Sequence, residues 1–347
     1  MSDFKKYIQI PESSIAQEPC LVRDKCKILC LNKSNGHIEH NIFSDILSFF
    51  NEGDILVLNN SKVIKARLSA YKKESGGKLE VFLLRTNNSV NNQWFILIKG
   101  RGVKKGTKII INHLTEKNKE MEIIIVDNFE NGMFLAEFPI TFNVLEDIQN
   151  YGYVPLPPYI KRTARLEDEE NYQTVFAKKM GSVASPTASL HFTKDLLQAI
   201  SNKGVIIKYV TLHVGYGTFS MVKNPDTHIM HEEFFEVPAE LESVIKNAKS
   251  NNKKIWAVGT TVVRTLESAF DDNQHLTKLS GLSNLFIRPG YNFKVVDTMV
   301  TNFHHPETSL IYLVSAFAGS DNIINAYHSA INQNYRFLSY GDAMLIF

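Results

Sequence analysis

The sequence predicts an α/β protein with a mainly parallel sheet domain and an inserted all-β barrel domain. Residues 181–347 alternate short apolar runs with helical patterns, which is typical of a mainly parallel sheet. Between Ala66 and Thr141, short apolar runs are instead separated by turn-forming residues, which is typical of a small barrel. We therefore expect an inserted β-barrel domain over residues 66–141 and a discontinuous α/β domain over residues 1–65 and 142–347.

Composition narrows the class of protein only slightly. The chain has 347 residues and a net charge of +2, which neither demands nor excludes a nucleic-acid partner. The start lacks the apolar core of a signal peptide, and no apolar run is long enough to span a membrane, so we expect a cytoplasmic protein. We also expect a monomer. Cys20, Cys26 and Cys30 are expected to be free thiols, because an odd cysteine count without a secretion signal indicates a reducing compartment. Their spacing does not match the cluster motif of radical enzymes, so no iron–sulfur cluster is expected.

The first elements are short and lead into the barrel. Phe43, Ile46, Leu47 and Phe50 recur at helical spacing, and Ile55 to Leu58 form a buried strand. After the barrel, the proline-rich segment 151–159 is expected to be extended.

The segment from Gly181 to Thr193, GSVASPTASLHFT, is rich in hydroxyl side chains and suits neither a strand nor a helix. Thr193 is a typical N-cap for the helix pattern that follows, and Gly204 is a typical stop. A polar loop that leads into a helix can present backbone N–H groups and hydroxyls to a ligand. The alternative is an ordinary capped loop. We call residues 181–193 the central loop.

Val205 to Val214 form a predicted strand that ends near His213. The Gly215–Thr218 turn lacks the third glycine of a dinucleotide fingerprint. His228 and His231 stand three residues apart and have no further metal ligand at a matching spacing, so no metal site is predicted.

A second predicted helix start follows the strand Ile255 to Val258. Gly259, Thr260 and Thr261 form a tight turn before a helix, which suits an anion such as a carboxylate or phosphate. Arg264 lies in the first turn and is expected either to bind that anion or to pair with Glu267 on the same helix face.

The last third of the chain contains another polar cluster. Leu285 to Ile287 are predicted to form a strand, and Thr301 to Pro306 precede a helix over Leu310 to Ala318. The apolar C-terminal run is expected to close the sheet.

Together these polar segments resemble the S-adenosylmethionine:tRNA ribosyltransferase-isomerase family of queuosine biosynthesis. The matching segments run in order along nearly the whole chain: Asn59–Leu68, Gly76–Glu80, Pro155–Ile160, Tyr172–Phe176, the central loop, Thr211–Phe219, His228–Glu232, Ala257–Glu267, Asp297–Leu310 and Tyr335–Met344.

The resemblance implies an α/β domain with an inserted barrel, and it also implies the reaction. The ribosyl group of S-adenosylmethionine moves onto 7-aminomethyl-7-deazaguanine at the tRNA wobble position and is isomerised, which gives epoxyqueuosine-tRNA and releases adenine and methionine. The implied partners are tRNA carrying this precursor and S-adenosylmethionine as co-substrate. No metal or redox cofactor is expected.

This chemistry assigns roles to residues in the matched segments. A sulfonium acidifies the adjacent C5′ proton, so a histidine can remove it, and a histidine or aspartate can protonate the departing adenine. The candidate catalytic residues are His191, His213, His231, His304 and Asp297. The candidate substrate-binding residues are Arg67, Ser182, Thr187, Gly259, Thr260, Thr261, Arg264, Asn302, Tyr340 and Asp342. His191 is the first choice for acid or base, and the alternative is that it only orders the central loop.

A few positions depart from the family pattern, and in one of these departures Thr308-Ser309 reverses an expected Ser-Thr pair. Ser185 and Ser189 stand where alanine and glycine are expected, and a glycine at position 189 would suit a positive φ. The competing functions are an S-adenosylmethionine methyltransferase and a non-catalytic tRNA-binding protein.

Overall fold

The computed structural model describes residues 4–87, 90, 92–116, 118–129, 132–215, 217 and 221–347. Part of the predicted turn at 215–218 lies outside the described residues. The strands are β1 Lys27–Leu31, β2 Ile38–Ile42, β3 Ile55–Asn59, β4 Ser61–Val63, β5 Arg67–Lys72, β6 Lys78–Thr86, β7 Gln93–Lys99, β8 Lys108–Asn112, β9 Glu120–Asn128, β10 Met133–Glu137, β11 Gly152–Tyr153, β12 Lys179–Ser182, β13 Ile206–Leu212, β14 Glu233–Glu236, β15 Ile255–Val258, β16 Ser280–Ser283, β17 Thr298–Asn302 and β18 Ala343–Ile346.

The helices lie mainly in the second half of the chain. They are α1 Val144–Asp147, α2 Asp168–Asn171, α3 Lys194–Asn202, α4 Leu241–Ser250, α5 Thr260–Ala269, α6 Ser309–Ala318 and α7 Ser320–Asn332. The helical spacing at Phe43 corresponds to a 3-10 helix over Phe43–Phe49. Among the described residues, no helix is long and apolar enough to cross a membrane.

The large sheet is mixed, with a parallel centre. Its order is β16-β14-β13-β3-β15-β17-β18-β1-β2, and β13, β3, β15 and β17 are parallel neighbours. All residues of β3, β15 and β17 are buried, because helices and loops cover both faces of a parallel sheet. The C-terminal strand β18 lies between β17 and β1, as the apolar tail predicts.

The inserted domain is an antiparallel barrel. Strands β5-β6-β7-β10-β9-β8 pair in this order, and β8 pairs back with β5, which closes the barrel. Met121, Ile123 and Ile125 alternate with more exposed residues along β9 and fill the interior. The barrel confirms the predicted fold class, whereas the exact domain limits stay a prediction.

Two short pairings connect the barrel with the central loop. Strand β12, at the start of the central loop, pairs in parallel with β4, and β11 adds to β5 at the edge of the barrel. Val183 packs into the barrel core. These contacts hold the central loop where the barrel meets the large sheet.

The local signals around the central loop correspond to the structure. The Thr193 hydroxyl accepts a hydrogen bond from the Leu196 amide and caps α3. The predicted strand at Leu285–Ile287 is absent. The strand that pairs with β14 in this part of the chain is β16, Ser280–Ser283, which comes a few residues earlier.

Candidate active site

Three polar segments meet in a small cavity of about 350 Å³ at the carboxyl ends of the parallel strands. Such an edge is the usual ligand site of parallel α/β sheets, because the connecting loops converge there. The segments are the central loop, the turn after β15 and the segment after β17. Their polar residues in the cavity wall include Ser185, Thr187, Thr260, Thr261, Asn302 and His304.

The start of α5 forms one wall of this cavity. Gly259 precedes it with φ +89°, a conformation that favours glycine over any residue with a side chain. Thr260 and Thr261 are the first two residues of the helix, so their amides have no partner in the preceding turn. The positive end of the helix dipole and these amides suit an anion.

A hydrogen bond joins the other two segments across the cavity. The Thr187 hydroxyl in the central loop donates to Asn302 Oδ1 at the end of β17, over 2.8 Å. Both side chains line the cavity.

His304 also faces the small cavity. Its Nε2 lies 2.8 Å from the Thr301 hydroxyl, and its backbone N–H and C=O both bond to the Tyr327 hydroxyl. Its Nδ1 has no hydrogen-bond partner among the residues that the structure describes. Burial lowers the pKa of His304 to about 3, so the ring is neutral at pH 7.

His191 lies behind the cavity wall. Its Nδ1 is 3.0 Å from Cys26 Sγ, and its Nε2 is 3.3 Å from Asn302 Nδ2. The side chain packs against Phe43, and burial lowers its pKa to about 3. Because both ring nitrogens face protein groups, this geometry favours the ordering role over direct proton transfer to a ligand.

A larger cavity of about 1430 Å³ lies between the barrel and the large sheet. Its wall combines aromatic and long apolar side chains with a few polar groups. Trp94 and Phe142 contribute from the barrel side, and Phe234 and Leu282 from the sheet side. Val214 lines both cavities, so the two lie next to each other.

Two candidate histidines line the larger cavity. His213 stacks on Phe234, and burial lowers its pKa. Its Nδ1 is buried and has no hydrogen-bond partner within the described part of the chain. Gly181 lies against its ring, so closely that a Cβ there would be 2.9 Å from Nε2. His231 is exposed on the same wall.

Comparisons with known proteins identify the family of this chain. Residues 1–346 match the family described as queuosine biosynthesis protein. The chain belongs to this family.

Its relatives match over their full lengths. A protein of Sulfurihydrogenibium sp. named S-adenosylmethionine:tRNA ribosyltransferase-isomerase is 47% identical, and the match covers 100% of this chain and 99% of the relative. A protein of Clostridioides difficile with the same name is 46% identical over 99% of this chain and 98% of its own. The crystal structure of S-adenosylmethionine tRNA ribosyltransferase from Thermotoga maritima has a TM-score of 0.55 and 32% identity, and covers 100% of both chains.

Arg264 does not line either cavity of this family member. It is buried and forms an ion pair with Glu233, a residue at the start of β14 in the wall of the larger cavity. The alternative partner, Glu267, instead accepts hydrogen bonds from the amides of Lys294, Val295 and Val296. The two predictions for Arg264, anion binding and pairing with Glu267, are therefore corrected, because its side chain points towards β14.

Asp297 lies at the opposite edge of the sheet from the small cavity. It precedes β17, its carboxylate accepts a hydrogen bond from the Ile255 amide at 2.8 Å, and it pairs with Lys249 at 2.5 Å. Because Ile255 begins β15 while Gly259 follows its end, the carboxylate is a whole strand length away. The predicted catalytic role is corrected to a structural one.

Four other predicted residues support the site from outside both cavities. Ser182 donates to the Ala184 carbonyl and accepts from the Val214 amide, which fixes the central loop on β13. The Tyr340 hydroxyl donates to the buried Asp168 carboxylate. The other two residues make backbone contacts: Arg67 with the Leu156 carbonyl and Asp342 with the amides of Lys27 and Arg336.

Sequence reasoning missed several cavity residues that lie in matched segments, and Tyr172 and Ser185 are two of them. Tyr172 and Ser185 line the small cavity, and the Ser185 hydroxyl is buried without a hydrogen-bond partner in the described residues. Only the tertiary fold brings Tyr172 near the central loop. Ser189 lies in a 3-10 helix over Thr187–His191 and is not among the residues with positive φ, so serine fits there without backbone strain.

Proposed function

We propose that this chain transfers and isomerises the ribosyl group of S-adenosylmethionine onto 7-aminomethyl-7-deazaguanine at the tRNA wobble position. The products are epoxyqueuosine-tRNA, adenine and methionine. The observation behind this proposal is that the polar segments typical of the family converge on one small cavity beside a larger one. Full-length relatives that bear the activity's name support it.

The small cavity suits S-adenosylmethionine. Its volume of about 350 Å³ lies in the usual range for sites that hold one small ligand. The start of α5 at Thr260 and Thr261 is suited to the methionine carboxylate. Tyr159 and Tyr172 in the wall offer aromatic rings to the sulfonium.

The larger cavity suits the modified base of the tRNA. An anticodon base must leave its stack to react, and proteins bind such bases by stacking on aromatic side chains. Trp94, Phe142 and Phe234 are available for this purpose. Because Val214 lines both cavities, a base bound in the larger cavity would lie next to the small cavity, as transfer between the two substrates requires.

His304 is the best placed residue for the first proton transfer. It lines the small cavity as a neutral imidazole whose Nδ1 has no protein partner in the described residues. A pKa of about 3 makes it a weak base, which is adequate only for a proton already acidified by the sulfonium. His213, in the wall of the larger cavity and next in sequence to the shared residue Val214, is suited to protonating the departing adenine or to contacting the base. The mechanism requires neither a metal nor a redox cofactor.

The proposal includes where the protein works. A tRNA-modifying activity that uses S-adenosylmethionine is expected in the cytoplasm. We also expect a monomer.

The decisive experiment incubates the protein with S-adenosylmethionine and precursor-containing tRNA, followed by mass spectrometry of the digested nucleosides. Epoxyqueuosine together with free adenine and methionine is the expected result. A methylated precursor with S-adenosylhomocysteine would identify a methyltransferase instead. Binding of tRNA without turnover would identify a non-catalytic protein. tRNA that lacks the precursor base is the control substrate.

A further inference from the structure

A row of hydrogen-bonded side chains runs from the protein interior to the wall of the small cavity. Cys26 Sγ lies 3.0 Å from His191 Nδ1, and His191 Nε2 lies 3.3 Å from Asn302 Nδ2. Asn302 Oδ1 accepts the hydrogen bond from the Thr187 hydroxyl over 2.8 Å. Only Asn302 and Thr187 reach the cavity.

Burial fixes the protonation of this row. Cys26 and His191 are 3% and 5% exposed, and desolvation raises the pKa of the thiol and lowers the pKa of the imidazole to about 3. Both groups are therefore neutral at pH 7, and the imidazole carries one N–H only.

The hydrogen-bond directions then follow from one another. The Asn302 amide donates from Nδ2, so His191 Nε2 must accept and its proton must be on Nδ1, facing Cys26. The Asn302 carbonyl accepts the proton of Thr187. The remaining lone pairs of the Thr187 oxygen are left for a hydrogen-bond donor in the cavity.

We propose that His191 is a positioning residue that acts through Asn302 to hold the Thr187 hydroxyl as an acceptor for a donor group of the ligand in the small cavity. The donor is a hydroxyl or ammonium group of S-adenosylmethionine, so this inference rests on the proposed function. His191 itself touches no reacting atom.

Two substitutions of His191 separate this role from proton transfer. In His191→Gln, the side-chain oxygen occupies the place of Nε2 and still accepts from Asn302. In His191→Asn, the shorter amide reaches only towards Cys26 and loses Asn302. We expect His191→Asn to weaken S-adenosylmethionine binding about three- to tenfold, the usual worth of one neutral hydrogen bond, with kcat within about threefold of the wild type. His191→Gln should restore the affinity to within about twofold of the wild type, because it keeps that bond.

Thr187 gives the second line of the test. Thr187→Val should weaken binding by the same factor as His191→Asn, and the double variant should be no weaker than either single one, because both changes remove one interaction. Thr187→Ser keeps the hydroxyl and should bind normally. Cys30→Ala is the control for a buried substitution outside this row, since Cys30 is a buried cysteine on β1 that contacts Asn41.

Calorimetric affinity, kcat and melting temperature are measured on the same preparations. Equal losses of kcat by about 10²–10⁴-fold in both His191 variants, with unchanged affinity, would overturn the proposal in favour of proton transfer. Altered melting temperatures with unchanged kinetics in both would overturn it in favour of a purely structural role. If the wild type itself binds no S-adenosylmethionine, the proposed function fails; if the wild type binds and the variants match it, only this inference fails.

Discussion

Replacing Arg264 with alanine should destabilise the fold rather than weaken substrate binding. The guanidinium forms its ion pair with Glu233, and the two side chains are 2% and 4% exposed. Glu233 also accepts a hydrogen bond from the Gly215 amide. Removing Arg264 therefore leaves a buried carboxylate without its counter-charge.

The magnitude follows from this burial. An exposed ion pair contributes about 0–1 kcal/mol, but breaking a buried one costs about 3–5 kcal/mol of unfolding free energy. An unfolding entropy of about 2.1 cal/mol/K per residue gives about 0.7 kcal/mol/K for 347 residues. The melting temperature of Arg264→Ala should therefore fall by about 4–7 °C.

Differential scanning calorimetry with matched variants checks this reasoning. Arg288→Ala removes an arginine from a solvent-exposed ion pair with Asp226 and should lower the unfolding free energy by about 1 kcal/mol or less. The double variant Arg264→Met, Glu233→Gln removes both charges, and its melting temperature should fall by no more than half as much as that of Arg264→Ala. An unchanged melting temperature for Arg264→Ala, with weakened affinity for S-adenosylmethionine or tRNA, would refute the structural role.

Three further predictions concern the cavity histidines. His304→Asn should lower kcat about 10²–10⁴-fold while the calorimetric affinity for S-adenosylmethionine stays within about threefold, and normal turnover would exclude it as the base. Gly181→Ala should lower the melting temperature and weaken tRNA binding, because Gly181 has φ +137° and the new Cβ would displace the ring of His213. The strain should lower the unfolding free energy by about 1–3 kcal/mol, and a melting curve like that of the wild type would contradict this. His191 and His304 have a folded-state pKa of about 3, below the ordinary value of about 6.5, so the unfolded chain binds more protons and stability is lost as pH falls from about 6.5 towards 3. The unfolding free energy from urea titrations should depend less steeply on pH in His304→Asn than in the wild type, by about 1.4 kcal/mol per pH unit between the two pKa values. An identical pH dependence would show that this histidine is not buried as a neutral ring.

Local sequence patterns were sufficient to predict the fold class and the segments that form the site. The N-cap at Thr193, the Gly259 turn and the polar cluster at Thr301 each depend on neighbouring residues, so they are visible without a structure. The sheet edge at which they meet follows from parallel strand order. The family resemblance added Thr187, Thr260 and Asn302 as candidate residues in these segments, and all three line the small cavity.

Side-chain direction could not be predicted in the same way. Helical spacing pairs Arg264 with Glu267, but the actual partner is Glu233, 31 positions earlier and on another strand. Asp297 belongs to the same matched segment as Asn302, yet a strand runs between them and places them at opposite edges. His191 lies in the loop with the most hydroxyls, but its ring turns inward to Cys26. The errors at Arg264 and Asp297 arise because long-range packing, rather than sequence spacing, decides which groups face a cavity. The same packing decides between the two roles that the sequence left open for His191.

The central claim is that S-adenosylmethionine occupies the small cavity at the strand ends. A crystal structure of the protein with S-adenosylmethionine and without tRNA tests it most directly, because no turnover takes place. We predict the methionine carboxylate within hydrogen-bond distance of the Thr260 and Thr261 amides, and a donor group of the ligand on Thr187. A ligand bound only in the larger cavity, or with no contact to the start of α5, would contradict the account.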